Sequence, residues 1–333
     1  MLIENIIKLS ELRGVSGDEG AVREYIKSQI SDYVDEIYTD TIGNLIAYKK
    51  GNSDKKVMLS AHMDEVGFII SSITDDGYLK FRVVGGINEN VLVGKRVTVG
   101  KNKIKGVTGI KAVHLMTKDE RNEKPSCEKM YIDIGVSSRE EALKLVNIGD
   151  YAHFDTKTES FGKNFIKAKA LDDRCGCFII LELLKKRYKN DIYFCFVVQE
   201  EIGVRGATAL SAKLNPDEAI TVEGTTCLDL PFVEEYDKST SAGDGAALAI
   251  ADSSTYYDRD LTQSLFECAE KAQLKKVGVG GTDGRAFQLN NIKAAAVAVP
   301  ARYIHSPVSV VNNEDIENTI KLLENYLEVE KDA

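Results

Sequence analysis

Several apolar segments of this chain end in residues that can bind a metal ion. The segments are VMLSA, IYFCFVVQ, AITV and AAAVAVPARYI. The residues at their ends are His62 with Asp64 two positions on, Glu200, Glu201, Glu223 and His305. Continuous apolar runs are typical of strands covered on both faces by helices. Because ligands collect beyond the carboxyl ends of such strands, we expect these side chains to converge on one crevice.

The order of the predicted elements indicates two regions. Residues 1–65 and 157–333 alternate helix and strand, whereas 66–156 hold short β-like segments separated by DDG, GG and GD turns. A chain of 333 residues suffices for two domains. We predict an α/β domain, its sheet covered by helices on both faces, formed by both ends of the chain. A β-rich, barrel-like domain is inserted between them.

Three predictions concern helices. Ser16 or Asp18 is expected to cap a second helix that runs through about Val34. Another helix is predicted over 259–274. Asp172 and Asp173 precede the helix-like segment CGCFIILELLKKRY, where an acid can cap the helix and complement its dipole. From the same turn, these two acids can also reach the predicted crevice.

A cluster of imidazoles and carboxylates suits metal-assisted hydrolysis. A divalent ion with such ligands lowers the pKa of bound water toward about 7. Two ions roughly 3.5–4 Å apart can hold both the attacking water and the carbonyl oxygen. Such a site needs a carboxylate that bridges the ions and an uncoordinated carboxylate that moves the proton.

Each of these residues also has a structural explanation. A lone histidine at a strand end is more often a hydrogen-bonded structural residue, and adjacent acids usually form a solvated face. The chain has only four histidines, however, and two of them follow apolar runs together with acids. The combination therefore favours a metal site. The other two, His114 and His153, are expected to be structural, with His153 at the surface or in the core.

Composition limits the partners and the cellular compartment. The formal charge of -9 argues against a sequence-independent nucleic-acid binder, which needs a basic face. The sequence contains no run of eighteen apolar residues, so that no membrane span is predicted. The first residues lack the pattern of a secretory signal. The six cysteines have no CxxC pair, which favours free thiols in a reducing cytoplasm.

At these residues the sequence resembles a known family, the cytoplasmic dinuclear aminopeptidases of the tetrahedral (TET) type. That family includes glutamyl and deblocking aminopeptidases, and its members are often labelled endoglucanases. The matching motifs extend through nearly the whole chain and are specific as an ordered set. They include SGDEGAVREY, DTIGNLIA, SAHMDEVGF, GVTGIKAVHL, KALDDRCGC, VVQEEIGVRGA, GGTDGRAF and RYIHSPVSV.

The resemblance implies a role for each residue of the cluster. Asp172 would bridge two zinc or cobalt ions. His62 and Glu223 would complete one ion, and Glu201 and His305 would complete the other. Glu200 would be the general base, and Asp64 would orient His62 through its second ring nitrogen. In one departure from the family, Glu223 stands where Asp is most common, which leaves the affinity and metal preference of that site in doubt.

The resemblance also bears on substrates and assembly. It implies that the loop GVGGTDGRAF lines the substrate pocket, with Gly281, Thr282 and Asp283 as candidates for substrate binding. Arg285 or Arg205 is a candidate for favouring acidic residues, although each is more simply explained as an exposed or salt-bridged side chain. Family members use the inserted domain, here 66–156, to form dimers that assemble into dodecamers.

Three other functions stay open at the level of sequence. Paired carboxylates suggest a glycoside hydrolase, but such enzymes need no histidines or metal, and this chain has no Trp to form a sugar platform. A non-catalytic, metal-bound relative is the second alternative, because of Glu223. The third is a metal-dependent deacylase or carboxypeptidase on the same cluster of residues.

Overall fold

The computed structural model describes residues 2–328. Met1 and the last five residues of the predicted 157–333 segment lie outside the described residues. Within that range the α-helices lie between stretches of strand and turn. They are Leu2–Glu11 (α1), Gly20–Ile30 (α2), Lys118–Asn122 (α3), Arg139–Leu143 (α4), Leu171–Leu184 (α5), Arg205–Ser211 (α6), Arg259–Glu267 (α7), Gly284–Leu289 (α8) and Asn313–Tyr326 (α9).

The strands of the first half of the chain are short. They are Glu36–Thr39 (β1), Leu45–Lys49 (β2), Lys56–His62 (β3), Gly67–Ile73 (β4), Leu79–Val84 (β5), Arg96–Val99 (β6), Ile104–Gly109 (β7), Tyr131–Asp133 (β8) and Tyr151–Phe154 (β9). The second half contributes Glu159–Phe161 (β10), Phe165–Ala168 (β11), Asp191–Val197 (β12), Glu218–Thr226 (β13), Ala246–Leu248 (β14), Ala272–Leu274 (β15), Lys293–Arg302 (β16) and Ser309–Asn312 (β17).

A single large sheet unites both ends of the chain. Its order is β1-β2-β12-β3-β13-β16-β17-β11-β10, with β14 and β15 joined beside β16. The central strands β12, β3, β13 and β16 are parallel to their neighbours in this group. Their carboxyl ends therefore lie at one edge of the sheet.

Helices cover both faces of this sheet, as the continuous apolar runs predicted. On one face, Leu59 and Phe194 pack in a large core with residues of α1, α2, α5 and α9. On the other face, Met58 and Cys195 pack in a smaller core with residues of α6 and α8. Neighbouring residues of β3 and β12 thus enter different cores, because successive side chains of a strand point to opposite faces.

A closed barrel lies between the two parts of the chain that form the sheet. Its strand order is β4-β5-β8-β7-β6-β9. The interior is a separate apolar core in which Phe68 contacts Phe81 and Phe154, with ring centroids 4.6 and 5.2 Å apart. The predicted α/β fold with a barrel-like insertion is confirmed.

Two of the local predictions are wrong. Helix α2 begins at Gly20, and its N-cap, Glu19, makes no side-chain capping bond. The Ser16 hydroxyl instead donates to Asp64 Oδ2, at 2.6 Å. The helix predicted over 259–274 ends at Glu267, and Ala272–Leu274 forms strand β15 against β14. Long-range pairing thus overrides the local helical pattern in that segment.

Two further findings bear on composition. No helix among residues 2–328 is long and apolar enough to cross a membrane. All six cysteines fall within the described range and are free, five of them buried.

Candidate active site

The predicted metal-binding residues meet at the carboxyl edge of the parallel strands. His62 is the last residue of β3, and Glu200 and Glu201 lie three and four residues beyond β12. His305 lies three residues beyond β16. Glu223 differs from the prediction: it lies inside β13, which continues to Thr226 because its pairing with β16 extends that far.

Asp172 and Asp173 occupy a kink in the first turn of α5. Both have non-helical backbone angles. Asp173 Oδ1 accepts the backbone N–H of Gly176 at 2.8 Å, and Oδ2 accepts that of His62 at 3.0 Å. Asp173 therefore serves the helix start and the end of β3. Asp172 lines the crevice.

The carboxylate of Asp172 faces both histidines. Its Oδ1 lies 3.2 Å from His62 Nε2, and its Oδ2 lies 3.6 Å from His305 Nε2. Glu201 Oε2 is 3.4 Å from the same nitrogen of His305. One ligand atom each from Asp172, Glu201 and His305 lie within 4.8 Å of one another. This spacing suits a metal ion held by one imidazole and two carboxylates.

Asp64 lies behind His62, fully buried. Its Oδ1 is 3.4 Å from His62 Nδ1, on the side of the ring away from Asp172. The backbone N–H groups of Glu200 and Glu201 also donate to it, at 3.0 and 3.1 Å. This one carboxylate therefore contacts the imidazole and both members of the acid pair.

The acids of the site repel one another in a buried place. Burial raises the pKa of Glu200 to about 7 and that of Glu201 to about 8, and the charge on Asp172 adds to both shifts. Burial raises the pKa of Glu223 well above its usual range, although Lys275 opposes the shift. Such a group of carboxylates is stable in ionised form only beside a cation of high charge.

The pKa values of the two histidines are raised and that of Asp172 is lowered, as mutual attraction requires. Burial disfavours charge on His62, but its contacts with Asp172 and Asp64 outweigh burial and raise its pKa. Asp172 raises the pKa of His305 to about 9 against the effect of burial. Burial of Asp172 is in turn outweighed by His305 and His62, so its pKa is lowered. Imidazoles and carboxylates in such contact are the mixed N/O donor set that zinc and related ions prefer.

A cavity of about 530 Å³ opens beside these residues. All the predicted metal ligands and Glu200 line it, as do Gly281 and Thr282. Asp283, the third residue expected to bind substrate, is 1% exposed and is not among the lining residues. Burial, followed by the charge of Glu200, raises its pKa well above the usual range. Of the three residues expected to bind substrate, Gly281 and Thr282 thus reach the cavity.

The remaining candidates lie in different surroundings. His114 is exposed in a turn of the barrel. His153 is fully buried, with its Nε2 3.1 Å from Asp18 Oδ2. Arg285 is exposed and lines the cavity, whereas Arg205 is exposed at the start of α6 and is not among the lining residues.

Some lining residues were not expected from the sequence. Ser253, Ser254 and Lys275 form part of the cavity wall. Lys275 directly follows β15, the strand that the helix prediction had covered. A lysine after a short strand is not distinctive in the sequence, because only the pairing of β15 with β14 brings it to the site.

Known proteins are similar to this chain in sequence and in fold. The sequence profile of the M42 glutamyl aminopeptidase family matches residues 43–322. The chain belongs to this family. Its members are metal-dependent aminopeptidases, and this protein is accordingly a peptide hydrolase.

Individual relatives of this M42 protein cover almost its whole length. A relative from Acetivibrio thermocellus is 42% identical over 95% of each chain. The lysyl aminopeptidase of Pyrococcus furiosus is 30% identical over 96% of this chain and 95% of its own. The description of the family names an acidic residue, glutamate, whereas this relative is named for a basic one, lysine.

Solved structures agree. The aminopeptidase APDkam598 of Desulfurococcus kamchatkensis has a TM-score of 0.94 at 34% identity, covering 98% of this chain and 94% of that one. The TET1 peptidase of Pyrococcus horikoshii, described as assembling into a tetrahedron or a large octahedral shell, has a TM-score of 0.88 at 34% identity. The match with that peptidase covers 98% of this chain and 99% of the other.

Proposed function

We propose that this chain is an aminopeptidase that binds two divalent ions, zinc or cobalt, around Asp172. The observation that carries the proposal is the position of Asp172, whose two oxygens face His62 and His305 respectively. His62 and Glu223 would hold one ion, and Glu201 and His305 the other. When bound, such ions lower the pKa of a water molecule and polarise the peptide carbonyl.

Glu200 is the residue proposed to move the proton. It lines the cavity beside the ligands, and its pKa of about 7 suits a group that gains and loses a proton near neutral pH. The carboxylate accepts a proton from the attacking water as the oxygen bonds to the first peptide carbonyl carbon. It then donates this proton to the departing nitrogen as the C–N bond breaks. Water is consumed, and the amino acid and the shortened peptide are released.

Asp64 is proposed to hold His62 and the Glu200–Glu201 pair in their relative positions. Its contact with His62 Nδ1 leaves Nε2 of that ring directed toward Asp172. Carboxylates in this position fix the tautomer and orientation of a ligating imidazole. The bonds from the amides of Glu200 and Glu201 extend the same control to the acid pair.

A panel of aminoacyl p-nitroanilides tests the proposal. The protein is stripped of metal with a chelator, assayed, and assayed again after zinc or cobalt is added. We expect hydrolysis of the p-nitroanilides to be lost after chelation and restored when zinc or cobalt is added. Glu200→Gln should bind metal as wild type does and lose about 100- to 10,000-fold in kcat, whereas Glu201→Gln should lose metal as well. Turnover by Glu200→Gln at the wild-type rate would refute the assignment of the base.

Two controls separate the alternative functions. Acetylated amino acids should release no acetate, because the proposed reaction breaks the first peptide bond; release of acetate would favour a deacylase, and loss of residues from the other end of a peptide would favour a carboxypeptidase. Release of reducing sugar from cellulose oligomers, unaffected by chelators, would favour a glycoside hydrolase. Metal binding without hydrolysis of any peptide would favour a non-catalytic relative.

The barrel, within 66–156, is further proposed to join chains into dimers that assemble into a dodecamer. Val113 and Leu115 expose 67% and 64% of their surface on this barrel, and the related TET1 peptidase forms closed shells. Light scattering should give about twelve times the 36.7 kDa of one chain. Leu115→Asp should yield smaller species, whereas Phe232→Asp, at an exposed position outside the barrel, should not. A 36.7 kDa wild-type species with metal present would refute assembly.

A cytoplasmic location is proposed on the same footing. Its support is the free state of all six cysteines, which is usual in a reducing compartment. Fractionation of the source cells with an antibody should place the protein with cytoplasmic markers, and its recovery from the medium or envelope would contradict the proposal.

A further inference from the structure

The proposed base lies on a stretch of backbone that has left the large sheet. Pairing of β12 with β3 ends at Val197, and Glu200 lies three residues beyond. Each backbone N–H of the base segment (residues 198–201) donates instead to a side-chain oxygen from a distant part of the chain. Side chains, rather than a neighbouring strand, therefore determine where this segment lies.

Three buried side chains supply these oxygens. Asn44 Oδ1 accepts the N–H of Val198 at 3.0 Å, and Glu19 Oε1 accepts that of Gln199 at 3.2 Å. Asp64 accepts the two that follow. Asn44 and Glu19 are 0% and 4% exposed, so that water cannot readily replace either of them. Loss of one of these bonds would leave a buried N–H without its acceptor, which is costly.

Gln199, the residue before the proposed base, has an unusual backbone conformation. Its φ is 58°, in the left-handed region that residues other than glycine rarely adopt. Such a conformation persists only where the surrounding structure requires it. The bond from its N–H to Glu19 is one such requirement. A change in the backbone of Gln199 would turn the next residue, Glu200.

Glu19 is itself held in a turn before α2. The same Oε1 that accepts the N–H of Gln199 also accepts that of Gly17, at 2.7 Å. Ser16, in the same turn, donates to Asp64 Oδ2 at 2.6 Å. The turn therefore contacts the base segment twice, directly through Glu19 and indirectly through Asp64.

We propose that Glu19 is a positioning residue for the reaction, and that it sets the place of the Glu200 carboxylate through the backbone amide of Gln199. The proposal rests on the assignment of Glu200 as the base in the function proposed above. Glu19 is not among the residues that line the cavity, so that it acts through the backbone and not by contact with substrate. Its role requires an acceptor oxygen at the reach of a glutamate side chain, and does not require a charge.

Glu19→Gln and Glu19→Asp separate reach from charge. The glutamine keeps an acceptor oxygen at the same distance, whereas the aspartate keeps the charge on a side chain one methylene shorter. With metal-loaded protein and an aminoacyl p-nitroanilide, kcat should fall by roughly 10- to 100-fold in Glu19→Asp. It should stay within about threefold of wild type in Glu19→Gln. Because a displaced base is felt in the transition state, KM and metal content should change little.

A double variant tests whether Glu19 acts through Glu200. Residues that act as a unit have non-additive effects on rate. Adding Glu19→Asp to Glu200→Gln should therefore leave the residual kcat of Glu200→Gln unchanged. If the two losses multiplied, Glu19 would affect the rate by another route, and the proposal would be wrong.

Asp18→Ala is the matched control, in the same turn. Its carboxylate faces the barrel, with Oδ2 3.1 Å from His153 Nε2. Its loss should leave kcat unchanged even where the thermal midpoint falls. The thermal midpoint and metal content of each variant establish that it is folded and loaded. If Glu19→Asp does not fold, Glu19→Met takes its place, because methionine has a similar length without an acceptor oxygen, and the same fall in kcat is expected.

Two results with single variants would overturn the proposal. One is a wild-type kcat in folded Glu19→Asp, since the shorter side chain would then position the base equally well. The other is an equal fall in Glu19→Gln and Glu19→Asp, which would show that charge, and not reach, is what the reaction needs.

Hydrogen exchange separates this proposal from the proposed function, because it does not depend on turnover. Mass spectrometry of a peptide that spans 198–204 should show exchange about fivefold faster or more in Glu19→Asp than in wild type. Glu19→Gln should resemble wild type. If no metal-loaded form hydrolyses any substrate, the aminopeptidase proposal fails, and faster exchange in Glu19→Asp still supports the hold of Glu19 on the base segment. Unchanged exchange in Glu19→Asp overturns it.

Discussion

Asp64 accepts a hydrogen bond from the backbone amide of Glu200, with 3.0 Å between Glu200 N and Asp64 Oδ1. The same oxygen lies 3.4 Å from His62 Nδ1. A residue that touches no part of the cavity thus joins the end of β3 to the segment after β12. The relative position of the imidazole and the proposed base depends on this contact.

Asp64→Asn should therefore weaken metal binding. The amide replaces one acceptor oxygen. His62 Nδ1, which also lies 3.2 Å from the Asp64 backbone carbonyl, loses the carboxylate charge beside it, or one backbone N–H of the acid pair loses its acceptor. Loss of such support for a ligating histidine typically costs about 10- to 100-fold in metal affinity or activity. A competition titration with a chromogenic chelator measures the affinity.

Ser16→Ala is the control for this substitution. It removes only the hydroxyl that donates to Asp64 Oδ2 at 2.6 Å and leaves the carboxylate in place, so the loss should be less than about tenfold. Wild-type metal affinity in Asp64→Asn would show that His62 needs no support from this carboxylate.

The metal-free protein should bind protons that metal then displaces. Burial raises the pKa of Glu201 to about 8, and Asp172 raises that of His305 to about 9, so both hold protons at pH 7. Because metal ligands must be deprotonated, zinc binding should release more than one proton per chain. Calorimetry in two buffers of different ionisation enthalpy counts the released protons. Identical heats in both buffers would contradict the prediction.

The raised pKa values of the acid pair also make stability depend on pH. Folded metal-free protein keeps Glu200 and Glu201 protonated above pH 4.5, the ordinary pKa of glutamate, whereas the unfolded chain does not. Their stabilising contribution is present below 4.5 and is lost as pH rises through about 7 to 8. We expect the urea midpoint of metal-free protein to fall as pH rises from 4.5 to about 8. The midpoint of zinc-loaded protein should change less.

The position of the cluster follows from the sequence because parallel strands bring their ends together. The apolar runs of β3 and β12 are continuous, and His62, Glu200 and Glu201 stand where those runs stop. Glu223 follows the apolar run AITV in the same way, but its strand does not stop there. Its strand continues to Thr226 through pairing with β16, a partner some seventy residues away in the chain.

Lys275 could not be predicted for a related reason. The segment before it, Ala272–Leu274, is a strand only because it pairs with β14, which in turn pairs with β16 of the large sheet. Periodicity within the segment carries no information on that pairing. The charge of the cavity wall thus depends on contacts between distant parts of the chain.

Gly224→Ala should displace the proposed bridging carboxylate. A Cβ at this position would lie 3.0 Å from both Cα and Cβ of Asp172, closer than ordinary packing permits. Metal content should fall while far-ultraviolet circular dichroism is retained. Gly20→Ala is the control, because its nearest neighbour is the flexible end of Arg23, 3.7 Å away. Full metal occupancy in Gly224→Ala would show that Asp172 can move without loss of the site.

Glu65 holds together the start of the chain, the large sheet and the barrel. Its Oε1 lies 2.5 Å from Lys169 Nζ, 3.6 Å from Arg174 Nη2 and 3.7 Å from His153 Nδ1. The N–H of Gly14 also donates to it, at 3.1 Å. Burial disfavours charge on Glu65, but the charge of Lys169, the contact with His153 and the charge of Arg174 outweigh burial and lower its pKa to about 2. Burial, by contrast, lowers the pKa of Lys169 to about 8.

Glu65→Gln should destabilise the fold and reduce its sensitivity to acid. The folded pKa of about 2 is below the ordinary 4.5, so the stabilising contribution is present above pH 4.5 and is lost as pH falls toward 2. Its upper limit is about 3 kcal/mol. Urea denaturation of wild type and variant between pH 2 and 7 measures both effects. Asp155→Asn, at the exposed pair with Lys105, should change stability by less than about 1 kcal/mol. An unchanged pH slope in Glu65→Gln would exclude Glu65 as a source of acid sensitivity.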